Sequence, residues 1–295
     1  MTRLGQKAGR LNGPAVILSL PALLVLIGLG LVPLLLITFW SFWSFDPATY
    51  WIKPEMTIAS YRALAETGRL PVFVRTIGLA AVAAAFCTAI AFPASVVIGL
   101  MSSPRRATIL LALFTIPFFT SALIRAFAWR LVLGRAGIVN TVLMAVGIVD
   151  HPLEWLLFSN FAVLVGMIAA YLPFAVVPMV LVFARIELSV IRASQDLGAG
   201  FWATLGRIVL PLSMPGVIAG FLFVFVVALG TATEIQLLGG AADSSISIMI
   251  NDVMRVVNFP LAFAIATAVV VLMSLIVIFA NRALGLSRMF EELGS

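Results

Sequence analysis

Six stretches of eighteen or more residues contain no Asp, Glu, Lys or Arg: Leu11–Phe45, Thr76–Pro104, Ala107–Ile124, Trp155–Ala184, Ile208–Thr233 and Val256–Asn281. A helix rising about 1.5 Å per residue needs roughly 20 apolar residues to cross the hydrocarbon core, so each stretch can span a bilayer once. A transmembrane barrel would show short alternating segments instead of continuous runs. Composition agrees: 63% of the residues are hydrophobic and 10% charged, against roughly 45–50% and roughly 25% in soluble domains. One soluble core could not hide that much apolar surface. The sequence predicts an all-α integral membrane fold of six spans.

Several details refine the expectation. Arg3, Lys7 and Arg10 precede a first run too long for a signal-peptide core, so it reads as a retained helix. The third run is the shortest and contains Pro117; its span is expected to extend slightly past Ile124, with Arg125 near the interface. Ala136–Val149 is too short to cross and suits an interfacial or re-entrant helix. Gly78, Ala81, Ala85 and Ala89 form a small-residue ridge suited to close helix contact in lipid. With the N-terminus placed in the cytoplasm, the cytoplasmic segments carry ten cations against four acids, and the outer segments balance eight with eight. The whole excess of +6 falls inside. Trp40, Trp43, Tyr50, Trp51, Trp129 and Trp155 fall where spans meet the outer interface, as belt aromatics do. The reading is a cytoplasmic N-terminus over residues 1–13, one membrane domain over 14–282 and a cytoplasmic tail over 283–295.

Catalytic chemistry has little to work with. His151 is the single histidine, in an outer loop, and reads as a solvated residue. Cys87, also single, lies in an apolar run and reads as a small buried hydrophobe. No metal site is expected, since neither H-E-x-x-H nor a second Cys occurs. No G-x-S-x-G elbow is present, and neither lysine follows a glycine as a phosphate-binding loop requires. No basic cluster with interleaved aromatics points to nucleic acid.

The informative segment lies between the fourth and fifth spans. It reads Arg192-Ala193-Ser194-Gln195-Asp196-Leu197-Gly198, then nine residues, then Ile208-Val209-Leu210-Pro211. A short helix over Ile191–Leu197 is expected, ended by Gly198 in a left-handed cap. Phe201, Trp202 and Leu205 then form an apolar stripe that invites a protein partner. Pro211 and Pro215 are expected to break the chain as it re-enters the membrane. The segment resembles the loop signature of binding-protein-dependent ABC importer permeases, E-A-A-x3-G-x9-I-x-L-P. The spacing and the ending match; Arg192 stands where that family has Glu, and Ser194 where it has the second Ala.

The resemblance extends over roughly residues 60–285. Its blocks are Ile124-Arg125 with Ala128-Trp129, Asn140, Tyr171-Leu172-Pro173-Phe174, Asp196-Leu197-Gly198-Ala199, Pro211-Leu212-x2-Pro215-Gly216-x2-Ala219-Gly220, Leu237-Leu238-Gly239-Gly240 and Asn258-x-Pro260-Leu261. These are similar to the first permease of spermidine/putrescine-type importers. The resemblance implies a six-helix type I importer domain in the bacterial inner membrane, with the loop as a coupling helix docked on an ATPase subunit. It implies alternating access, a distinct second permease, and a periplasmic or extracellular solute-binding protein. It implies no cofactor in this chain, whose other surroundings are lipid. The solute would be small, cationic or amino-acid-like, of polyamine or opine type. Coupling would fall to Arg192, Ala193, Ser194, Asp196, Leu197, Gly198, Ile208, Leu210 and Pro211.

Four residues are candidates for the solute path. Glu234, near the outer end of the fifth span, is either a counter-charge for a cationic solute or an interfacial acid reaching water. Tyr171, with Pro173 and Pro178, sits where a kinked helix could expose carbonyls, or where ordinary packing suffices. Arg125 and Trp129 read as interfacial anchors or as part of an outer gate. Asp243 and Asp252 lie in the outer loop, solvated or docking a binding protein. The competing reading is a stand-alone secondary transporter or channel, which would place paired acids or broken helices at mid-membrane. A membrane-embedded enzyme ranks third.

Overall fold

The computed structural model describes residues 20–21, 24–66, 68–240 and 244–284. The described chain is helical apart from one two-stranded ribbon. In chain order the elements are α1 (Leu24–Trp40), β1 (Ser44–Asp46), β2 (Trp51–Lys53), α2 (Ala59–Glu66), α3 (Leu70–Met101), α4 (Pro104–Phe119), α5 (Ala122–Leu133), α6 (Ile138–Ala145), α7 (Asn160–Phe183), α8 (Leu188–Asp196), α9 (Phe201–Leu229), α10 (Thr233–Leu238), α11 (Ile246–Arg255) and α12 (Phe259–Leu284). Four helices are long and apolar enough to cross a membrane: α3, α7, α9 and α12. The α4–α5–α6 stretch contributes a fifth if its bent pair counts as one span. α1 is an apolar helix of shorter length. The expected first span falls partly on residues 11–19, outside the described residues, as do the termini 1–13 and 285–295.

One compact unit comprises the chain up to residue 67 together with residues 253–271. Here β1 and β2 pair antiparallel, Phe45 opposite Ile52, with Lys53 Nζ 3.2 Å from the Asp46 carboxylate. The ribbon departs from the all-α expectation. It is too short to show in a hydropathy pattern, and it forms because Tyr50 takes a left-handed φ of 53° that turns the chain back. The Ser41 hydroxyl lies 2.6 Å from the Tyr61 hydroxyl, and Trp40 packs on Phe263 at 6.0 Å between ring centroids. Asn258 caps α12 by accepting from the Leu261 N–H at 3.2 Å, with Pro260 in the first turn where no N–H is missed.

The second unit, residues 68–252 and 272–295, is built around α3, α7 and α9. Its close packing follows from small residues. A Cβ on Gly216 would sit 3.0 Å from Val182, and one on Gly220 would sit 2.9 Å from the Ala175 carbonyl oxygen. The glycines four apart in Pro215-Gly216-x2-Ala219-Gly220 therefore let α9 lie backbone-close to α7. On α3 the buried small face is Ala80, Ala83, Ala84, Cys87 and Ala91. The expected ridge is displaced: Gly78, Ala85 and Ala89 are exposed in this chain. An apolar helix with small residues on two faces has no moment to say which one is covered.

Two expectations about proline are corrected. The third run does not continue straight past Ile124: α4 tightens into a 3-10 turn over Ile116–Phe119, and the chain bends by 92° before α5. Pro117 cannot donate to the preceding turn, and the Arg125 guanidinium binds the Pro117 carbonyl oxygen at 2.9 Å, fixing the bend. Conversely, Pro211 and Pro215 do not break the re-entry. α9 runs unbroken from Phe201 to Leu229 because a π turn over Leu205–Val209 absorbs the disruption ahead of Pro211. α7 likewise passes through Pro173 and Pro178 without interruption.

Candidate functional site

The inner loop is a helix, a tight reversal and a second helix. α8 begins three residues before the expected Ile191 and ends at Asp196. Gly198 takes φ +84°, the left-handed region, donating its N–H to the Gln195 carbonyl at 2.9 Å, while Ala199 donates to the Ser194 carbonyl at 3.0 Å. This paired bonding satisfies carbonyls that a helix end otherwise leaves open. The chain then restarts at Gly200, whose carbonyl accepts from the Thr204 N–H at 3.0 Å.

The loop turns its sequence-predicted residues outward. Arg192, Ala193, Asp196 and Gly198 are exposed, Leu197 is 88% exposed and Trp202 79%. Phe201 and Trp202 stand edge to face at 5.2 Å. Leu210 and Pro211 are exposed, Ile208 is half-buried and Val209 is buried. Ser194 is the exception, buried at 7% exposure, with its hydroxyl 3.0 Å from that of Thr204. Thr204 was not singled out by sequence reasoning, and no local pattern marks it.

The path candidates divide into two places. Tyr171 and Glu234 come together near the other end of the bundle. Glu234 is only 3% exposed, in the first turn of α10 rather than within the fifth span, which ends at Leu229. Its carboxylate accepts from the Thr231 hydroxyl and lies 3.4 Å from the Tyr171 hydroxyl, which donates to Thr231 Oγ1 at 2.8 Å. The acid's stem packs on Gly166 of α7. An interfacial acid reaching water is thereby excluded; the charge is caged by hydroxyls. Thr231, whose carbonyl also accepts from the buried Ser245 hydroxyl, is a member the sequence reading missed. The Thr-x-x-Glu spacing at 231–234 was its available signal.

Arg125 and Trp129 lie elsewhere. Arg125 is turned back on the chain break at Pro117 and Thr120, leaving its buried Nε without a hydrogen-bond partner. Trp129 packs on the bundle core. Asn140, wholly buried, ties the outer hairpin by donating to the Gly134 carbonyl at 3.0 Å and accepting from the Leu153 N–H at 2.7 Å. Cys87 is fully buried and His151 exposed. Asp243 lies outside the described residues, and Asp252 is exposed on α11. Among the described residues no group of His, Cys, Asp or Glu is placed to hold a metal.

A spermidine/putrescine transport system permease protein, PotB, from Haemophilus influenzae is 31% identical over 254 residues, covering 86% of this chain and 88% of that protein. The chain belongs to this family of ABC transporter permeases. PotB of Escherichia coli strain K12 is 29% identical over 85% of the chain and 91% of its own length. No family model matches the permease. Its fold is similar to that of a chain in the crystal structure of a bacterial alginate ABC transporter in complex with an alginate pentasaccharide-bound periplasmic protein, with a TM-score of 0.72, 19% identity, and 90% and 92% coverage. As a member of a permease family, the chain is a transport subunit and not itself an enzyme.

Proposed function

We propose that this chain is one of two permease subunits of an ATP-driven importer in the bacterial inner membrane. It works with ATPase subunits, a distinct second permease and a periplasmic or extracellular solute-binding protein. In this reading residues 14–282 form one six-span membrane domain: α1 with the residues before it, α3, the bent α4–α5 pair, α7, α9 and α12. Both termini and the α8–α9 loop are cytoplasmic, which accords with ten of the eighteen cations falling on that side. The solute is small and cationic or amino-acid-like, of polyamine or opine type, and moves by alternating access.

One observation carries the proposal. The α8–Gly198–α9 loop offers Leu197, Phe201 and Trp202 to a partner while its own backbone bonding is complete. An exposed apolar patch on an ordered loop marks a protein-docking surface. The loop joins directly to a span, so a partner that moves it moves the bundle. Arg192, exposed where relatives in the resembled family have Glu, meets an acidic patch on the ATPase; charge reversal at Arg192 weakens that contact. Deleting residues 191–205 is the direct test. The truncated chain should still insert in the membrane but lose the ATPase on co-purification. Retained co-purification would argue against docking through this loop.

A further inference from the structure

We propose that the Ser194–Thr204 hydroxyl pair is a latch that makes α8 and the start of α9 move as one body, so that displacement of the docking surface reaches the fifth span undiminished. The inference rests on the docking role proposed above and adds a positioning function for two residues that themselves face no partner.

The geometry supports this in three ways. First, Ser194 and Thr204 are buried at 7% and 4% exposure, the sole buried residues of α8 and of the first turn of α9. Their oxygens lie 3.0 Å apart. Buried hydroxyls are costly unless paired, so the two are held together rather than merely adjacent. Second, Ser194 belongs to both bonding systems of the loop: its side chain reaches Thr204, and its carbonyl accepts from Ala199 beyond the Gly198 reversal. Fixing Ser194 therefore fixes the angle between the two helices. Third, apolar packing alone does not tie them. A cleft of about 190 Å³ lies between α8 and α9, lined by Leu188, Ile191, Gln195, Phe201 and Leu205. The hydroxyl pair bridges what side-chain packing leaves open. Beyond Thr204, helix continuity through the π turn carries any tilt to Leu229. The resembled family has Ala at position 194, so the tie is particular to this chain.

The test uses the complete importer, with its ATPases, second permease and binding protein, reconstituted in vesicles. In Ser194→Cys/Thr204→Cys, oxidation should form a disulfide, since the paired oxygens already sit close to the separation a bridge needs. If α8 and α9 move together, the oxidised importer keeps solute uptake within about twofold of the reduced one, because the bridge replaces a tie that never opens. Removing the tie should uncouple: Ser194→Ala and Thr204→Val each lower uptake per ATP hydrolysed by about fivefold, and the double variant is no worse than the poorer single. ATPase co-purification is measured on every variant, so loss of docking is scored separately from loss of transmission. Three results overturn the latch: no disulfide on oxidation, uptake arrested by oxidation and restored by reductant, or Thr204→Val retaining normal uptake per ATP.

Discussion

The inner loop and the outer polar cluster solve opposite problems with similar materials. At Leu197 and Trp202 the chain exposes large apolar groups and keeps its polar bonding internal. At Glu234 it buries an ionisable group and surrounds it with hydroxyls from Tyr171 and Thr231. The first region is finished only when something else covers it. The second is already complete, and any solute that uses the acid must first compete with Thr231 and Tyr171 for it. The difference teaches that chemistry left open and chemistry closed off are distinguished by contacts across the fold, not by residue type.

The largest expected effect attacks the closed region. Glu234→Lys places an uncompensated cation among hydroxyl donors in a buried site and should destabilise by about 3–5 kcal/mol. Little folded protein would survive detergent extraction, and a normal yield with normal melting would show that the cluster opens easily. The open region responds differently. The double variant Leu197→Asp/Trp202→Asp should leave melting unchanged while lowering ATPase co-purification by at least about tenfold, equivalent to about 1.4 kcal/mol. Equal losses of stability and co-purification would erase the contrast between the regions. A smaller effect follows for Tyr171→Phe, which removes one donor near the acid and should cost about 1 kcal/mol of stability. Adding Thr231→Val to it should give less than the sum of the single effects, read from denaturant midpoints, because both hydroxyls serve one carboxylate.

The smallest effect lies in the ribbon, outside the spans. The Ala48 N–H, together with the Lys53 ammonium, holds the Asp46 carboxyl below the usual carboxylate range. A depressed carboxylate contributes stability that is present above its unfolded value and is lost as pH falls through the folded one. The ribbon's amides should therefore exchange faster as pH drops below about 4, and Asp46→Asn should remove that dependence. The group is exposed, so its contribution is screened by salt.

How much of this was readable depended on distance along the chain. The α8–α9 loop was legible because its determinants are local: Gly198 fixes a reversal, and the interval to Ile208 is counted in residues. Long apolar helices were legible for the same reason. The bend at Pro117 was not, since the uncharged run continues through it and hydropathy records no angle. The covered face of α3 was misjudged because Ala and Gly occupy both sides of it, and only packing against α7 and α9 chooses. Glu234 looked like a residue at the water's edge because Tyr171, its partner, is 63 positions away.

The wide turn at Leu205–Val209 explains why the interval between Gly198 and Ile208 admits no slippage. A π turn holds one residue more than an α turn, so it sets the rotational phase of everything that follows. Dropping a single residue there would restore an ordinary helix and spin α9 by the better part of a quadrant. Gly216 and Gly220 would swing away from α7, and bulkier neighbours would arrive where only glycine fits. The nine-residue count is thus a gear setting, matching the angle of a surface outside the bilayer to a seam inside it.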